Sequence, residues 1–400
     1  MDKTGRASSV EELLTRGVAN IIPNADALRE TLNSGKKLNV YLGIDPTMTN
    51  IHLGHAVPLR KLQALAELGH NVTFLIGDFT ALIGDTSDKD SERPVLTSEK
   101  IEENFKTYKD QAEKILDFSK VKVRHNSEWL DSLTFKEIVK LCQHFSFGDF
   151  ASRELIKKRL TEGKKVGLHE ALYPVMQGYD SYFMDTDIQL GGTDQTFNMQ
   201  AGRVLQKDLR SKESFVLANA FLSGTDGKKM SKTGGNAIWL TEKPNEMYTK
   251  VMAINDDVIV EYWTLGTNIP LEQINEIEEK LKSEENPMQV KKQLAHTIVS
   301  ELHSEDAANV AQGEFEKVHQ KGGTPTKMSA LDSSTLPSDA TIIDAIMAAG
   351  LAKSRADAKR VITQGGVAIN DTTITDPNSP FNAQPGDILK YGKHEFREIK

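Results

Sequence analysis

The sequence predicts an α/β fold in which helices cover a parallel β-sheet. Short apolar runs at 38–44 and 72–76 are typical of buried strands. A helical pattern that ends at about Leu68 separates them, and it is long enough for the crossover that two parallel strands require. The alternation returns later, with a strand at 187–190, a helix from about Asp194 and a strand at 215–222. Such crossovers are right-handed, so the topology is constrained as well.

Composition excludes several classes of protein. The chain has 400 residues, which predicts two or three domains, and its net charge of −8 is unlike that of a wholly basic nucleic-acid binder. Cys142 is the only cysteine, so an intramolecular disulfide and a cysteine-built zinc site are excluded. No apolar run is long enough to span a membrane, and the first residues lack the apolar core of a signal peptide. These features predict a cytoplasmic protein without a membrane partner.

The remaining elements follow from periodicity and from helix start and stop signals. A capping box at Ser9-x-x-Glu12 predicts a helix that ends near Gly17. Residues 77–97 are rich in Gly, Asp and Ser and are predicted to be a long loop with a brief ordered centre. The other predicted segments before residue 240 are helical: 25–32, most of 98–165, and 168–183. The chain is then predicted to be helical to about His319, followed by a linker and a small unit of two helices and short strands.

The stretch 41–55, YLGIDPTMTNIHLGH, carries the first chemical signal. The strand stops at Asp45-Pro46, and His52 and His55 then open a helix at a spacing that places both imidazoles on one face. A helix start after a strand presents backbone amides to an anion, so this turn is predicted to bind phosphate. Gly54 allows a ligand to approach the backbone closely.

A polar loop at 223–235, SGTDGKKMSKTGG, carries the second signal. Lys229 and Lys232 lie in it between glycines, and two lysines in a loop suit the triphosphate of ATP, whose charge needs compensation as pyrophosphate leaves.

In this order, the HLGH and KMSKT sequences resemble the two signature motifs of class I aminoacyl-tRNA synthetases. Four further stretches narrow the resemblance to tyrosyl-tRNA synthetases: YLGIDPT, LIGDTSDKDSER, YPVMQGYD and QLGGTDQTFN. The last 60 residues resemble an S4 RNA-binding domain, as in bacterial members of that family. The lysine loop reads KMSKT and the fourth stretch ends DQTFN, which fits a subgroup with a KMSKS-like loop and leaves Thr196 and Phe197 without an implied role.

The resemblance implies a domain order. A Rossmann-like catalytic domain with a parallel sheet is expected at 1–238, with a helical insertion at about 98–186. An α-helical anticodon-binding domain at 239–320, a linker at 321–339 and a small α+β S4 domain at 340–400 are expected to follow. The ends of the strands bearing Asp45 and Gly191-Gly192 should flank the crevice where the strand order reverses.

The resemblance also implies a tyrosine site. Tyr41 and Asp180 are expected to bind the phenolic hydroxyl, because a buried carboxylate accepts that hydrogen bond and phenylalanine would leave the carboxylate unpaired. The remaining members of the expected set surround the substrate's α-ammonium group (Asp85, Tyr173, Gln177) or lie near its carboxyl group (Gln195).

The ATP site is implied in the same way. The expected ATP-side residues are Gly43, Asp45, Thr47, His52, Gly54 and His55, with Gly192 and Asp194 at the ribose. Catalysis by charge stabilisation is assigned to Thr47, His52, His55, Lys229 and Lys232, and to Lys89 and Arg93, which would close onto pyrophosphate. Mg²⁺ is expected to arrive with ATP, and no structural metal is expected.

The implied partners are tRNA(Tyr), L-tyrosine, ATP and a second copy of the chain in a homodimer. In the S4-like part, RNA phosphates are expected at Lys353, Arg355, Lys359 and Arg360. The basic segment Arg153–Lys165 is a candidate for contact with the acceptor stem.

Three alternatives stay open at this point. A tryptophanyl-tRNA synthetase would share the fold and both motifs, although Asp180 suits a phenol better than an indole. A non-catalytic RNA-binding protein on the same scaffold would have lost charged site residues, yet these are present. An ATP-dependent ligase of the same fold that acts on a small acid would not need the S4 tail.

Overall fold

A computed structural model describes residues 10–47, 49–85, 96–231, 234–283, 286–320, 323–326, 328–392 and 395–400. The chain divides into two compact units, Met1–Glu305 and Asp306–Lys400. No helix within these described ranges is long and apolar enough to cross a membrane. The predicted boundary at 238/239 between catalytic and anticodon-binding domains has no counterpart in this division and stays a prediction.

The first unit is built on a six-stranded sheet. Its strands are β1 (Val18–Ile22), β2 (Asn39–Ile44), β3 (Asn71–Ile76), β4 (Val121–His125), β5 (Ile188–Gly192) and β6 (Phe215–Asn219). The spatial order is β1-β6-β5-β2-β3-β4, with β1 antiparallel to β6 and every other neighbour parallel. The predicted α/β fold with a parallel sheet is confirmed.

The strand order reverses between β2 and β5. From β2 the chain continues outward to β3 and β4, whereas from β5 it continues in the opposite direction to β6. The carboxyl ends of β2, at Ile44, and of β5, at Gly192, therefore flank a crevice of the kind in which open α/β sheets bind ligands. Asp45 and Gly191-Gly192 lie at the edge where they were predicted.

Helices complete the first unit. They are α1 (Val10–Thr15), α2 (Ala25–Asn33), α3 (Leu53–Glu67), α4 (Thr80–Ile83), α5 (Ser98–Ala112), α6 (Ser127–Leu130), α7 (Phe135–Cys142), α8 (Phe147–Ser152), α9 (Glu154–Thr161), α10 (Leu168–Phe183), α11 (Thr196–Arg210), α12 (Pro244–Met252), α13 (Ile259–Gly266), α14 (Leu271–Lys282) and α15 (Pro287–Leu302), with 3₁₀ turns at Thr193–Gln195 and Asp256–Val258. The predicted helices at 25–32 and 168–183 are confirmed.

Two strands of this sheet were not predicted. β1 lies directly after the helix that ends before Gly17, and β4 lies inside the segment predicted to be a helical insertion. Both are five residues long and both are edge strands, so each is held by pairing with a single neighbour. That pairing is a tertiary interaction, which a local periodicity argument does not include.

The second unit contains a five-stranded sheet and the last helices. α16 (Glu305–Phe315) begins at the division between the units, and a π-helical segment follows at Glu316–Gln320. The sheet has the order β7-β11-β10-β8-β9, and the remaining elements are β7 (Ser329–Leu331), a 3₁₀ turn (Ser333–Thr335), α17 (Ile342–Ala348), α18 (Arg355–Thr363), β8 (Val367–Ile369), β9 (Thr372–Ile374), β10 (Ile388–Tyr391) and β11 (Glu395–Ile399).

The linker predicted at 321–339 differs from the structure in one respect. β7 lies within it and pairs in parallel with β11, from Ser329 with Arg397 to Leu331 with Ile399. Leu331 is buried in the same apolar cluster as Ile342 and Ile346 of α17. The segment is predicted to be a linker because Gly, Pro, Ser and Thr make up most of its composition, which does not reveal a three-residue strand.

Candidate active site

One cavity at the switch between β2 and β5 collects the predicted site residues. Its volume is about 680 Å³. Every predicted tyrosine, ATP and catalytic residue that the structure describes lines it: Tyr41, Gly43, Asp45, Thr47, His52, Gly54, His55, Asp85, Tyr173, Gln177, Asp180, Gly192, Asp194, Gln195 and Lys229. Lys89, Arg93 and Lys232 lie outside the described residues. The S4-like residues belong to the other unit.

The end of the cavity beside Tyr41 and Asp180 is buried. Both side chains are only 3% exposed. Asp180 accepts hydrogen bonds from Trp129 Nε1 at 2.7 Å and from Asn126 Nδ2 at 3.2 Å, while the Tyr41 hydroxyl donates to Gln189 Oε1 at 3.1 Å. Burial raises the pKa of the Asp180 carboxyl to about 8, although both hydrogen bonds act to lower it. A carboxyl group held in this way can form a specific hydrogen bond with a hydroxyl group of a ligand.

Three polar partners at this end were not predicted. Asn126 directly follows β4, Trp129 lies one turn further in α6, and Gln189 lies in β5. The available signal was Asn-x-x-Trp after a strand end, because side chains at the carboxyl ends of parallel strands meet at one edge. The signal depends on 121–125 being a strand, whereas the sequence pattern predicts a helical segment there.

A carboxylate–amide cluster lies where the substrate's ammonium and carboxyl groups are expected. Asp85 accepts from Gln195 Nε2 at 2.6 Å and from Asn198 Nδ2 at 3.3 Å. The structure therefore brings together Asp85 and Gln195, which were predicted for opposite charges of one amino acid. Asn198, from the first turn of α11, was not predicted.

Tyr173 and Asp45 contact each other directly. The Tyr173 hydroxyl donates to Asp45 Oδ2 at 2.8 Å, and Thr80 Oγ1 donates to Asp45 Oδ1 at 2.8 Å. Tyr173 was predicted beside the ammonium group and Asp45 on the ATP side. The contact joins the two predicted groups, so the sites are neighbours within one cavity.

The helix start at His52 is held more firmly than the sequence indicated. The two imidazole centroids lie 3.8 Å apart, and the His52 amide donates to His55 Nδ1 at 3.3 Å in a capping box. The Leu53 amide donates to Ile238 O at 2.9 Å. The amides of His52 and Leu53 are thus engaged within the protein, so the predicted open row of amides is wrong at these two positions. Gly54 leaves room for the His52 ring, which a Cβ atom would approach to 3.0 Å.

Lys229 reaches Asp194, the residue predicted to bind the ribose. Its Nζ lies 3.6 Å from Asp194 Oδ2 and 3.9 Å from the centroid of the Phe221 ring. Asn236 supports the loop, since it accepts from the Ser231 amide at 3.0 Å and donates to Lys229 O at 3.2 Å. The structure thus pairs the lysine predicted for phosphate with the carboxylate predicted for ribose.

A buried ion pair fixes α10, the helix that carries three of the predicted tyrosine-site residues. Arg159 and Glu170 are each 1% exposed and make two hydrogen bonds, at 2.7 and 2.9 Å, and the Gly167 amide also donates to Glu170 at 2.7 Å. Because removing one partner would leave a buried charge without its counterion, this pair holds α9 against the start of α10.

The predicted RNA-contacting residues of the second unit lie on or beside α18, and all four are exposed. Arg355 forms an ion pair with Asp344 at 2.7 Å and Arg360 forms one with Asp357 at 2.7 Å. Hydrogen bonds from the Thr341 hydroxyl and amide, followed by the one from Arg355, lower the pKa of Asp344 to about 2. The net positive charge of this face is therefore smaller than the four cations alone indicate.

Comparison with known proteins identifies the family of this chain. The profile of the family described as tRNA synthetases class I (W and Y) matches residues 33–320, and the S4 domain profile matches residues 343–389. Tyrosine–tRNA ligases of Thermotoga maritima and Carboxydothermus hydrogenoformans are each 41% identical to this chain. These alignments cover 97% of this chain and 96% and 97% of the respective relatives.

Solved structures agree in fold. A C-terminally truncated mitochondrial tyrosyl-tRNA synthetase of Aspergillus nidulans matches with a TM-score of 0.66 at 23% identity, covering 79% of this chain and 94% of that one. The tyrosyl-tRNA synthetase of Archaeoglobus fulgidus complexed with L-tyrosine matches with a TM-score of 0.61 at 22% identity, covering 76% of this chain and all of that one.

Proposed function

Because the chain belongs to the class I tRNA synthetases of the W and Y family, we propose that it is a tyrosine–tRNA ligase. It activates L-tyrosine with ATP and transfers the tyrosyl group to tRNA(Tyr). The observation that carries the choice of tyrosine is the buried Asp180 carboxyl, held by Trp129 and Asn126 at the closed end of the cavity. A phenol can donate to this group at its far end, whereas the indole of tryptophan has its N–H on a larger, differently shaped ring.

The first step forms tyrosyl-adenylate. A carboxylate oxygen of tyrosine attacks the α-phosphorus of ATP, a new O–P bond forms, and the bond to the β-phosphate breaks to release pyrophosphate. Positioning and charge stabilisation dominate such a transfer. We assign positioning of the tyrosine to Tyr41, Asp85, Tyr173, Gln177, Asp180 and Gln195.

The ATP end supplies the charge stabilisation. Thr47, His52, His55 and Lys229 contact phosphate, Asp194 accepts the ribose hydroxyls, and Gly43, Asp45, Gly54 and Gly192 shape the nucleotide side of the cavity. ATP enters with its own Mg²⁺. Among the described residues no group of three or more His, Cys, Asp or Glu side chains is placed to hold a metal ion. Lys232, Lys89 and Arg93 keep their predicted roles beside pyrophosphate.

In the second step a hydroxyl of the terminal tRNA ribose attacks the tyrosyl carbonyl, and AMP leaves. We assign the acceptor end to the basic segment at 153–165. A second cavity, of about 550 Å³, adjoins its first residues and shares Asp194 with the main cavity. Arg153 lies with its guanidinium carbon 4.6 Å from the centroid of Phe197 beside this cavity, which suits contact with a nucleotide.

The predicted helical region at 239–320 and the S4-like unit contact the rest of the tRNA. Deleting 338–400 should leave tyrosine-dependent adenylate formation within about twofold and lower tRNA charging about 100-fold, as lost phosphate contacts require. Charging that is unchanged in the truncated chain would contradict the RNA role. The single cysteine suits a reducing compartment, so we place the reaction in the cytoplasm.

The chain also acts as a homodimer in this proposal. Large apolar side chains are exposed on four consecutive helices of the first unit: Phe135 of α7 at 81%, Phe147 of α8, Leu160 of α9 and Leu168 of α10 at 78%. An exposed apolar surface of this kind is typical of a protein interface. Leu168→Asp should shift the sedimentation coefficient from dimer to monomer, whereas Val310→Asp, at another exposed apolar residue, should not. A dimer that survives both substitutions would contradict this interface.

Exchange of pyrophosphate into ATP tests the proposed activity. The full-length chain should catalyse exchange that depends on L-tyrosine and is absent with L-tryptophan. Exchange with tryptophan alone would identify the other member of the family, and the absence of exchange with either amino acid would indicate a non-catalytic RNA-binding protein.

A further inference from the structure

Two uncharged side chains outside the predicted set join the ends of the cavity. Asn126 Nδ2 donates to Asp180 Oδ2 at 3.2 Å and to Thr80 Oγ1 at 3.0 Å. Thr80 Oγ1 in turn donates to Asp45 Oδ1 at 2.8 Å. Asn126, Thr80 and Asp180 are all buried, so the bonds among them lie away from solvent, whereas Asp45 at the end of the chain is half-buried. A continuous chain therefore links the carboxyl group at the tyrosine end to the carboxyl group on the ATP side.

The direction of every bond in this chain is fixed. Asn126 Oδ1 accepts from the Phe79 amide at 3.0 Å, so its NH₂ group must face Asp180 and Thr80. The Thr80 hydroxyl has one hydrogen, which it donates to Asp45 because its oxygen already accepts from Asn126. Hydrogen bonds connected in this way polarise one another, so a change at one carboxyl group alters the bond at the other.

The backbone leaves room for this chain at one point. A Cβ atom on Gly77 would lie 2.0 Å from Asp45 Oδ1 and 2.4 Å from Thr80 Oγ1. Any side chain at Gly77 would therefore push Thr80 and Asp45 apart without removing a hydrogen-bonding group. Trp129 differs, since its single N–H donates to the other Asp180 oxygen and has no hydrogen left for the path to Asp45.

We propose that Asn126 and Thr80 are positioning residues that make tyrosine and ATP binding mutually favourable. The inference rests on the proposed function. When the tyrosine hydroxyl donates to Asp180, the Asp180 oxygens become weaker acceptors for Asn126, and the Asn126 amide is drawn more towards Thr80. The Thr80 hydroxyl then donates more strongly to Asp45, which lowers the repulsion between Asp45 and the phosphates of ATP. By linkage, ATP raises the affinity for tyrosine by the same factor.

The test measures this factor directly. The Kd of L-tyrosine is determined by calorimetry on the full-length chain, with and without saturating α,β-methylene ATP, and the ratio of the two values is the coupling factor. In the wild type it should exceed about fivefold, since one buried hydrogen bond transmits it. Thr80→Val should bring it close to one, and Thr80→Ser, which keeps the hydroxyl, should restore it.

Two further variants separate coupling from simple loss of structure. Gly77→Ala should also bring the factor close to one, and it keeps the test open if Thr80→Val does not fold. Trp129→Phe should weaken tyrosine binding about tenfold with and without the ATP analogue, leaving the factor unchanged.

Three results would overturn the proposal: a wild-type factor near one, a factor that persists in both Thr80→Val and Gly77→Ala, or its loss in Trp129→Phe. A wild type that does not use tyrosine in pyrophosphate exchange would instead contradict the proposed function. The two failures are therefore distinguishable.

Discussion

The two ends of the active-site cavity are built differently. At the end proposed for tyrosine, Tyr41 and Asp180 are enclosed and the Asp180 carboxyl accepts two hydrogen bonds from neighbouring side chains. At the end proposed for ATP, the Lys229 side chain is 50% exposed and pairs with Asp194, a residue expected to bind the ribose. Under the proposed function, one end is thus complete before its ligand arrives, whereas the other exchanges an internal ion pair for contacts with ATP.

This difference has an energetic reason. A small amino acid must be selected by a single hydroxyl group, and a carboxyl group discriminates best where it is desolvated and its other partners are fixed. ATP carries several charges. The long, oppositely charged protein side chains that contact it gain little from being fixed in advance, because water screens their charges. The cavity therefore combines a rigid, buried hydrogen-bonding site at Asp180 with an exposed ion pair at Lys229 and Asp194.

The largest expected effect comes from Asp180→Ala. The substitution removes the partner of Trp129, Asn126 and the substrate hydroxyl, so kcat/KM for tyrosine should fall about 1000-fold. The KM for ATP should change less than about threefold, because Asp180 lies at the other end. Steady-state pyrophosphate exchange measures both parameters, and equal losses for the two substrates would argue against the assignment of Asp180 to the phenol.

Lys229→Ala is expected to have the next largest effect, at the opposite end. In the proposed function Lys229 stabilises the departing pyrophosphate, so its removal should lower kcat about 100-fold. The Kd of tyrosine measured without ATP should be unchanged, since Lys229 contacts Asp194 and Phe221 and not the tyrosine end. Weaker tyrosine binding in this variant would show that Lys229 also acts at the tyrosine end of the cavity.

The smallest effect concerns pH and the ligand-free protein. Because burial raises the pKa of Asp180 to about 8, the folded chain binds one more proton than the unfolded chain between roughly pH 4 and pH 8. This carboxyl group should therefore lower the stability of the fold as the pH rises through that window. Asp180→Asn should raise Tm, relative to the wild type, more at about pH 8 than at about pH 5. A constant difference in Tm would contradict a buried, proton-binding Asp180.

Prediction from the sequence worked best where a residue pattern is local. The turn 41–55 and the motif around Asp180 predicted which side chains line one cavity, because strand ends of a parallel sheet meet at one edge. The family and the proposed tyrosyl activity agree with every relative named above.

Pairing over long distances in the sequence was not predictable. β1 pairs with β6, almost 200 residues later, and β4 adds to the edge of β3, so neither strand carries the apolar run of a central strand. Missing β4 concealed Asn126 and Trp129, and with them the hydrogen bonds that hold Asp180. Lys229 pairs with Asp194, although the sequence predicts a phosphate partner for Lys229 and a ribose partner for Asp194. Neither motif therefore indicates that the two side chains contact each other.

The binding of L-tyrosine to the full-length chain without ATP tests the central comparison most directly. Titration calorimetry should show saturable binding of tyrosine, with phenylalanine at least about 100-fold weaker. The reason is that the Asp180 site for the hydroxyl group is complete in the ligand-free protein. Tyrosine that binds only after an ATP analogue has been added, or phenylalanine that binds as tightly, would contradict the account.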